Sequence, residues 1–163
     1  MNLEIRRAEP ADYKAACELH AQPNALRGTL QLPFPSEEKW KERLAKHGDN
    51  DYGLVACADA RIVGMVYLHA GPWSARRAHV GILGMAVHDQ WAGKGIGTAL
   101  MKAVIDLADN WLNLSRLELS VYTDNEPALR LYKKLGFEVE GTHRKYAFRE
   151  GTYVDAHTMA RVR

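Results

Sequence analysis

Between Val87 and Leu100 the sequence reads VHDQWAGKGIGTAL, a glycine-dense turn that runs straight into an amphipathic helix. The first turn of a helix leaves several backbone N–H groups without intrahelical partners, and the macrodipole adds partial positive charge at the same place. Such a helix start suits an anion. Gly93, Gly95 and Gly97 supply backbone freedom and remove Cβ atoms that would hold a pyrophosphate at a distance. Ala92, Ile96 and Thr98 complete this candidate cradle, and Lys94 adds a full charge. The plainer alternative is a glycine-rich turn ahead of a buried helix. Two familiar phosphate folds fail on spacing. A P-loop needs G-x-x-x-x-G-K-[ST], but Lys94 is followed by Gly95, and the leading glycine position holds His88. A dinucleotide fingerprint needs G-x-G-x-x-G early in a βαβ unit, whereas the glycines here run G-x-G-x-G in the second half of the chain.

A length of 163 residues suits a single domain over 1–163. The formal net charge is +2 and the pI near 8.5, and Arg6–Arg7 and Arg76–Arg77 are isolated pairs rather than a basic stripe. Nucleic acid is therefore not an expected partner. Cys17 and Cys57 are too few and too far apart for a disulfide framework or a metal site, so they read as small buried hydrophobes and no metal is expected. The first residues, MNLEIRRAEPADYKA, are charged and lack the apolar run of a signal peptide. No stretch of about 20 apolar residues occurs, so the expectation is a cytoplasmic protein without membrane association.

Alternation over 3–7 suits a short strand, and Pro10 opens a helix over about 11–21 with Tyr13, Ala16, Cys17 and His20 near helical spacing. From Gln22 to Pro35 three prolines and a glycine argue against a helix or a central strand. That segment is a loop long enough to be functional. Ser36, followed by Glu37 and Glu38, resembles an N-cap for a helix through Trp40 and Leu44 to about His47. Strands follow at 52–58 and 61–69, joined at hairpin spacing by Asp59 and Ala60. Gly71 and Pro72 break the pattern before a strand from about His79 to Val87. Beyond the cradle, Leu100, Met101, Val104, Ile105, Ala108 and Trp111 form one apolar helix stripe. A strand at 116–122, a helix at about 126–135 and strands near 137–148 and 152–162 complete the order. The fold class is α/β: a mixed, mostly antiparallel sheet with helices on both faces, in which a strand–helix–strand crossover carries the cradle.

In NEPALRLYKKLGF, Asn125 can cap a helix, Pro127 suits its first turn and Gly136 can end it. Ala128, Leu131, Tyr132 and Leu135 share one face; taken alone, Tyr132 reads as an aromatic that packs its ring and exposes its hydroxyl. With the cradle upstream, the chain resembles the GNAT superfamily of N-acetyltransferases. In that family a glycine-rich turn after the fourth strand binds the pyrophosphate of acetyl-CoA, and a later N-x-x-A-x-x-x-Y helix is followed by L-G-F. Asn125, Ala128, Tyr132 and Leu135-Gly136-Phe137 match, and the order of elements agrees over nearly the whole chain.

The resemblance implies the acyl-CoA N-acyltransferase fold and acetyl-CoA as co-substrate. It also implies that Tyr132 is the acid for the departing thiolate, since a phenol with a pKa of about 10 keeps its proton at neutral pH. Asn125 would hold the pantetheine arm or position its helix. Met85, Ala86 and Val87 would pair with the pantetheine amides and offer a backbone N–H to the acetyl carbonyl. Two positions depart from the family's pattern. Ala92 stands where Gln or Arg is usual, which removes a pyrophosphate contact. Ser120 stands where some protein-acetylating members carry a Glu base. The base is thus open: Glu118, on the strand face of Ser120 and Tyr122, and His79, before the cradle strand, are candidates, each also readable as a structural residue. A base acting through water, or capture of the neutral amine fraction, would also serve.

The segment from Gly141 to Arg163 resembles the tails of bacterial members that acetylate small amines, amino acids, polyamines or ribosomal-protein N-termini. In the family the acceptor usually lies between the first two helices and the last strands, so the resemblance implies that 22–35 is a lid lined by Leu26, Leu30, Leu32 and Phe34, with a packed loop as the alternative. This apolar loop and the sparse acidic clusters argue against a polyamine. The expected reaction moves an acetyl group from acetyl-CoA to a primary amine, the α-amine of a free amino acid or a similar small molecule. A peptide or protein N-terminal acetyltransferase and a non-catalytic acyl-CoA-binding domain are the alternatives. A homodimer is common in the family, though no residue here demands one.

Overall fold

Continuous apolar runs in the strands require cover on both faces of the sheet. In the computed structural model, which describes residues 1–71 and 74–163, that cover is supplied by helices. The order is β1 (Leu3–Arg7), α1 (Tyr13–His20), α2 (Pro23–Gly28), α3 (Glu37–Ala45), β2 (Asp51–Ala58), β3 (Arg61–Ala70), β4 (Val80–Val87), α4 (Ile96–Asn110), β5 (Arg116–Tyr122), α5 (Glu126–Lys134), β6 (Glu138–Arg149) and β7 (Thr152–Val162). The strands form one mixed sheet in the order β1-β2-β3-β4-β5-β7-β6. Every neighbouring pair is antiparallel except β4 and β5.

β2 shows how both faces fill. Val55 and Cys57 join a core with Ala16, Leu19, Trp40 and Leu44 of α1 and α3, while Ala56 and Ala58 join the opposite core with α4. The stripe Ile96, Leu100, Met101, Val104 and Ala108 is fully buried on that side. Burial of each larger side chain, Ile96, Leu100, Met101 and Val104, contributes on the order of 1.5–3 kcal/mol. Ser36 caps α3 by accepting from Lys39 N–H at 3.2 Å. The Asp59–Ala60 hairpin takes positive φ at both residues, 48° and 67°, the geometry that matches strand twist in a two-residue turn.

The structure departs from the sequence expectation within 22–35 and at the ends of α3 and α4. The segment 22–35 is not all loop: Pro23 sits in the first turn of α2, where its missing N–H costs nothing. The apolar stripe of α4 stops short of Trp111, which lies beyond the helix end and is 78% exposed. α3 ends at Ala45, before His47. The break assigned to Gly71 and Pro72 falls in part on Pro72, which lies outside the described residues.

Candidate active site

β4 and β5 are zipped only at their starts, where Val80, Gly81 and Ile82 face Arg116, Leu117 and Glu118. Beyond that, β4 from Leu83 to Val87 keeps β3 on one side, and β5 from Leu119 to Tyr122 keeps β7 on its far side. The inner edges diverge into a cavity of about 910 Å³, walled by both strands, the start of α4, α5 and α2. Strand edges with unsatisfied backbone groups are ready to pair with an extended ligand.

The glycine turn stands at one end. The buried His88 opens it by accepting from Gln90 N–H at Nδ1, 3.3 Å away. Gly93 and Gly95 adopt φ of +73° and +82°, and a Cβ at either would meet nothing within 4 Å, so conformation rather than crowding requires glycine. Gly95 is the N-cap of α4, which leaves Ile96, Gly97 and Thr98 without helical acceptors for their N–H groups in the cavity wall. Gly97 answers a different demand. A Cβ there would sit 3.2 Å from both Met85 Cε and Leu131 Cδ2, so its missing side chain lets α4 close over β4 and α5. Two of the three glycines therefore supply backbone freedom, and the third is a packing residue. Ala92 lines the cavity; Lys94 does not, its Nζ lying 4.8 Å above the Trp91 ring.

Met85, Ala86 and Val87 lie along the free edge of β4, and Asn125 and Tyr132 face them from α5 across the cavity. Asn125 Oδ1 accepts from Ala128 N–H at 3.3 Å and so caps the helix that carries Tyr132. The Tyr132 ring packs against Phe137 with centroids 5.8 Å apart. Burial pushes its pKa up to about 12, so the hydroxyl is a proton donor across the physiological range.

The far end is assembled from side chains. Tyr122 donates its hydroxyl to Thr29 O at 2.9 Å, tying β5 to the end of α2. The Arg149 guanidinium lies 5.3 Å from the Tyr122 ring centroid, is ion-paired with Asp124, and donates to Arg27 O at 3.1 Å. The hydrogen bond from Arg149 holds Asp124 below the usual carboxylate range. Of the four apolar residues expected to line a lid, Leu30 borders the cavity while remaining 68% exposed, the half-buried Leu26 does not line it, and Leu32 and Phe34 are 79% and 98% exposed.

Glu118 and His79 are not brought to the cavity. Glu118 sits in the zipped part of the β4–β5 pair, one residue before the edges part. Burial acts to raise its pKa, but Arg116 at 2.7 Å and Arg77 at 2.9 Å outweigh that and hold it below the usual value. His79 precedes β4 at the closed end, exposed, with its carbonyl accepting from Ser115 and Arg116 N–H. Sequence reasoning missed Arg27, Thr29, Asp124, Tyr146 and Arg149 as cavity residues. Asp124 had a signal, its place beside the capping Asn125. Arg27 and Thr29 lie within 22–35, the segment expected to form a lid, whereas Tyr146 and Arg149 are brought in by long-range pairing that no local pattern carries.

A mixed sheet whose parallel pair splays open beside a helix N-terminus has a shape that suits an extended, phosphate-bearing ligand. The profile of the Acetyltransferase (GNAT) family matches residues 16–137, and the chain belongs to that family as an acetyl-CoA-dependent N-acetyltransferase. The L-amino acid N-acetyltransferase AaaT of Escherichia coli (strain K12) is 47% identical over 159 residues, which cover 98% of this chain and 97% of that protein. The spermidine N(1)-acetyltransferase of the same organism is 28% identical over 160 residues, 97% of this chain and 84% of the relative. A GNAT-family acetyltransferase from Streptococcus pneumoniae superposes with a TM-score of 0.84 at 30% identity, covering 99% of this chain and all of that one.

Proposed function

We propose that this N-acetyltransferase acetylates the α-amine of a free L-amino acid or a similar small amine, with acetyl-CoA held in the β4–β5 cleft. The observation that carries the reading is the unpaired edge of β4 from Leu83 to Val87, opening onto the N-terminus of α4 and faced by the Tyr132 phenol. The 47% identity to an L-amino acid N-acetyltransferase supports the acceptor class.

The cleft suits acetyl-CoA by its own chemistry. The N–H groups of Ile96, Gly97 and Thr98, with Gly93 and Gly95 leaving room and Ala92 and Lys94 near the rim, suit a pyrophosphate. The edge at Met85, Ala86 and Val87 suits the pantetheine amides, and Asn125 positions α5 beside them. Bound there, acetyl-CoA supplies a thioester-activated acetyl group. A backbone N–H of the β4 edge donates to the acetyl oxygen as negative charge grows on it. The neutral amine nitrogen bonds to the acetyl carbon as the C–S bond breaks, and the Tyr132 hydroxyl gives its proton to the departing sulfur. The surplus proton of the amine returns through water to the phenolate. With Glu118 and His79 outside the cavity, no side-chain base is assigned, and the reaction draws on the neutral fraction of the amine.

Thiol release from acetyl-CoA, measured against free amino acids, polyamines and short peptides, tests the acceptor class. Free amino acids are expected to be turned over fastest; faster turnover of peptides or polyamines overturns the assignment. We place the enzyme in the cytoplasm, where its co-substrate is made; no helix of the described residues is long and apolar enough to cross a membrane. A homodimer is the remaining part of the reading. β6 is an edge strand, and exposed Phe148 and Tyr153 meet edge-to-face at its hairpin end with centroids 5.1 Å apart, a surface suited to a second copy. Light scattering is expected to give twice the chain mass, and a monomer that persists at high concentration removes it.

A further inference from the structure

Resting on the amino-acid reading, we infer that Arg149 and Arg27 form a carboxylate clamp at the acceptor end of the cleft and select amines that bear a neighbouring carboxylate. Among the described residues that line the cavity, the charged side chains are Arg27, Asp124 and Arg149. They stand together beside Tyr122 and Tyr146: Arg149 pairs with Asp124, donates to Arg27 O and lies over the Tyr122 ring. Arg149 is ion-paired with Asp124 and Arg27 with Glu150 just outside the lining, and each guanidinium keeps N–H groups that its carboxylate does not use. An amino acid whose α-amine has lost its proton, the form that attacks, carries one negative charge. A polyamine brings cations to the same place, which two guanidinium groups repel.

The geometry leaves donors for a carboxylate. Arg149 uses three of the five N–H groups of a guanidinium, one toward Arg27 O and two toward the Asp124 carboxylate. Those bonds and the Tyr122 ring beneath hold its plane fixed, with the side chain only 14% exposed. A preset planar fork is what bidentate carboxylate recognition needs. Arg27 uses one N–H, toward Glu150, which lies outside the cavity lining. Because Arg149 bonds the Arg27 backbone, the α2 end and the β6 end of the clamp are set relative to each other. Leu30, Tyr122 and Tyr146 wall the same end and suit an apolar side chain.

The test compares KM and kcat, by thiol release, for L-leucine, L-leucinamide and 3-methylbutylamine, which share a side chain and differ in the carboxylate. The wild type is expected to favour leucine. In Arg149→Gln and in Arg27→Gln the ratio of leucinamide KM to leucine KM should fall by about tenfold or more, with the change in KM rather than kcat. Arg27→Lys should recover part of it, since the charge remains and the fork is lost. The Arg27 side chain is about half exposed, so its replacement tests the clamp even if Arg149→Gln fails to fold. A KM ratio unchanged in Arg27→Gln overturns the clamp while leaving amino-acid acetylation standing. A wild type that turns over polyamines and none of the three leucine-shaped amines removes the amino-acid reading, and the clamp with it.

Discussion

The cradle end of the cleft is made of backbone, and the acceptor end is made of side chains. At the cradle, the groups proposed to hold the donor are the N–H groups of Ile96, Gly97 and Thr98 and the free edge of β4, and the residues there matter mainly through what they lack. At the other end, Tyr122, Asp124, Arg149 and Arg27 are held by one another, through an aromatic face, an ion pair and bonds to the α2 backbone. Backbone recognition fits a ligand that never changes. Side-chain recognition can be retuned by substitution without disturbing the first, which is what a family with one donor and many acceptors requires. Tyr132 stands between the two, capped into place by Asn125 and dried by burial.

That division gives perturbations of very different size. The largest effect is expected from Gly95→Val, because a β-branched residue at φ +82° is strained and would deform the start of α4. Calorimetry should show no acetyl-CoA binding at concentrations that saturate the wild type, with the circular-dichroism spectrum retained; normal affinity would mean that the cradle lies elsewhere. The smallest effect is expected from Glu118→Gln. Its carboxylate pairs with Arg116 and Arg77 outside the cavity, so kcat should stay within about twofold, the scale of a lost, partly exposed ion pair. The pH profile sharpens this point. With the neutral amine as the reacting form, log kcat/KM should rise with a slope near one up to the pKa of the acceptor amine. With Tyr132 titrating at about 12, no falling limb should appear at lower pH. The same profile in Glu118→Gln confirms that this group is not the base; a rising limb that follows the enzyme rather than the acceptor contradicts neutral-amine capture.

The same contrast explains what could be read from the chain. The cradle and the β4 edge occupy one continuous stretch, residues 85–98, and Asn125 and Tyr132 share one helix, so turn chemistry and helical period expose them. The acceptor end draws on 27–30, 119–124, 146 and 149, which meet because β7 inserts between β5 and β6 and because Arg149 and Tyr122 bond to the end of α2. Arg149 has no local pattern that distinguishes it from the other arginines. Glu118 shows the converse limit. Alternation gave its strand face correctly, but whether that face borders the cavity depends on where β4 and β5 unzip, one residue further on. α2 escaped notice because three prolines within 22–35 mask a six-residue helix that uses one of them as its start.

The central claim is that a buried phenol, reached from both ends of the cleft, protonates the leaving thiolate without helping to bind the donor. Tyr132→Phe tests it most directly, with acetyl-CoA affinity by calorimetry and turnover by thiol release measured on the same preparation. The account predicts an affinity equal to wild type and a kcat lower by about 10² to 10⁴; an unchanged kcat would contradict it.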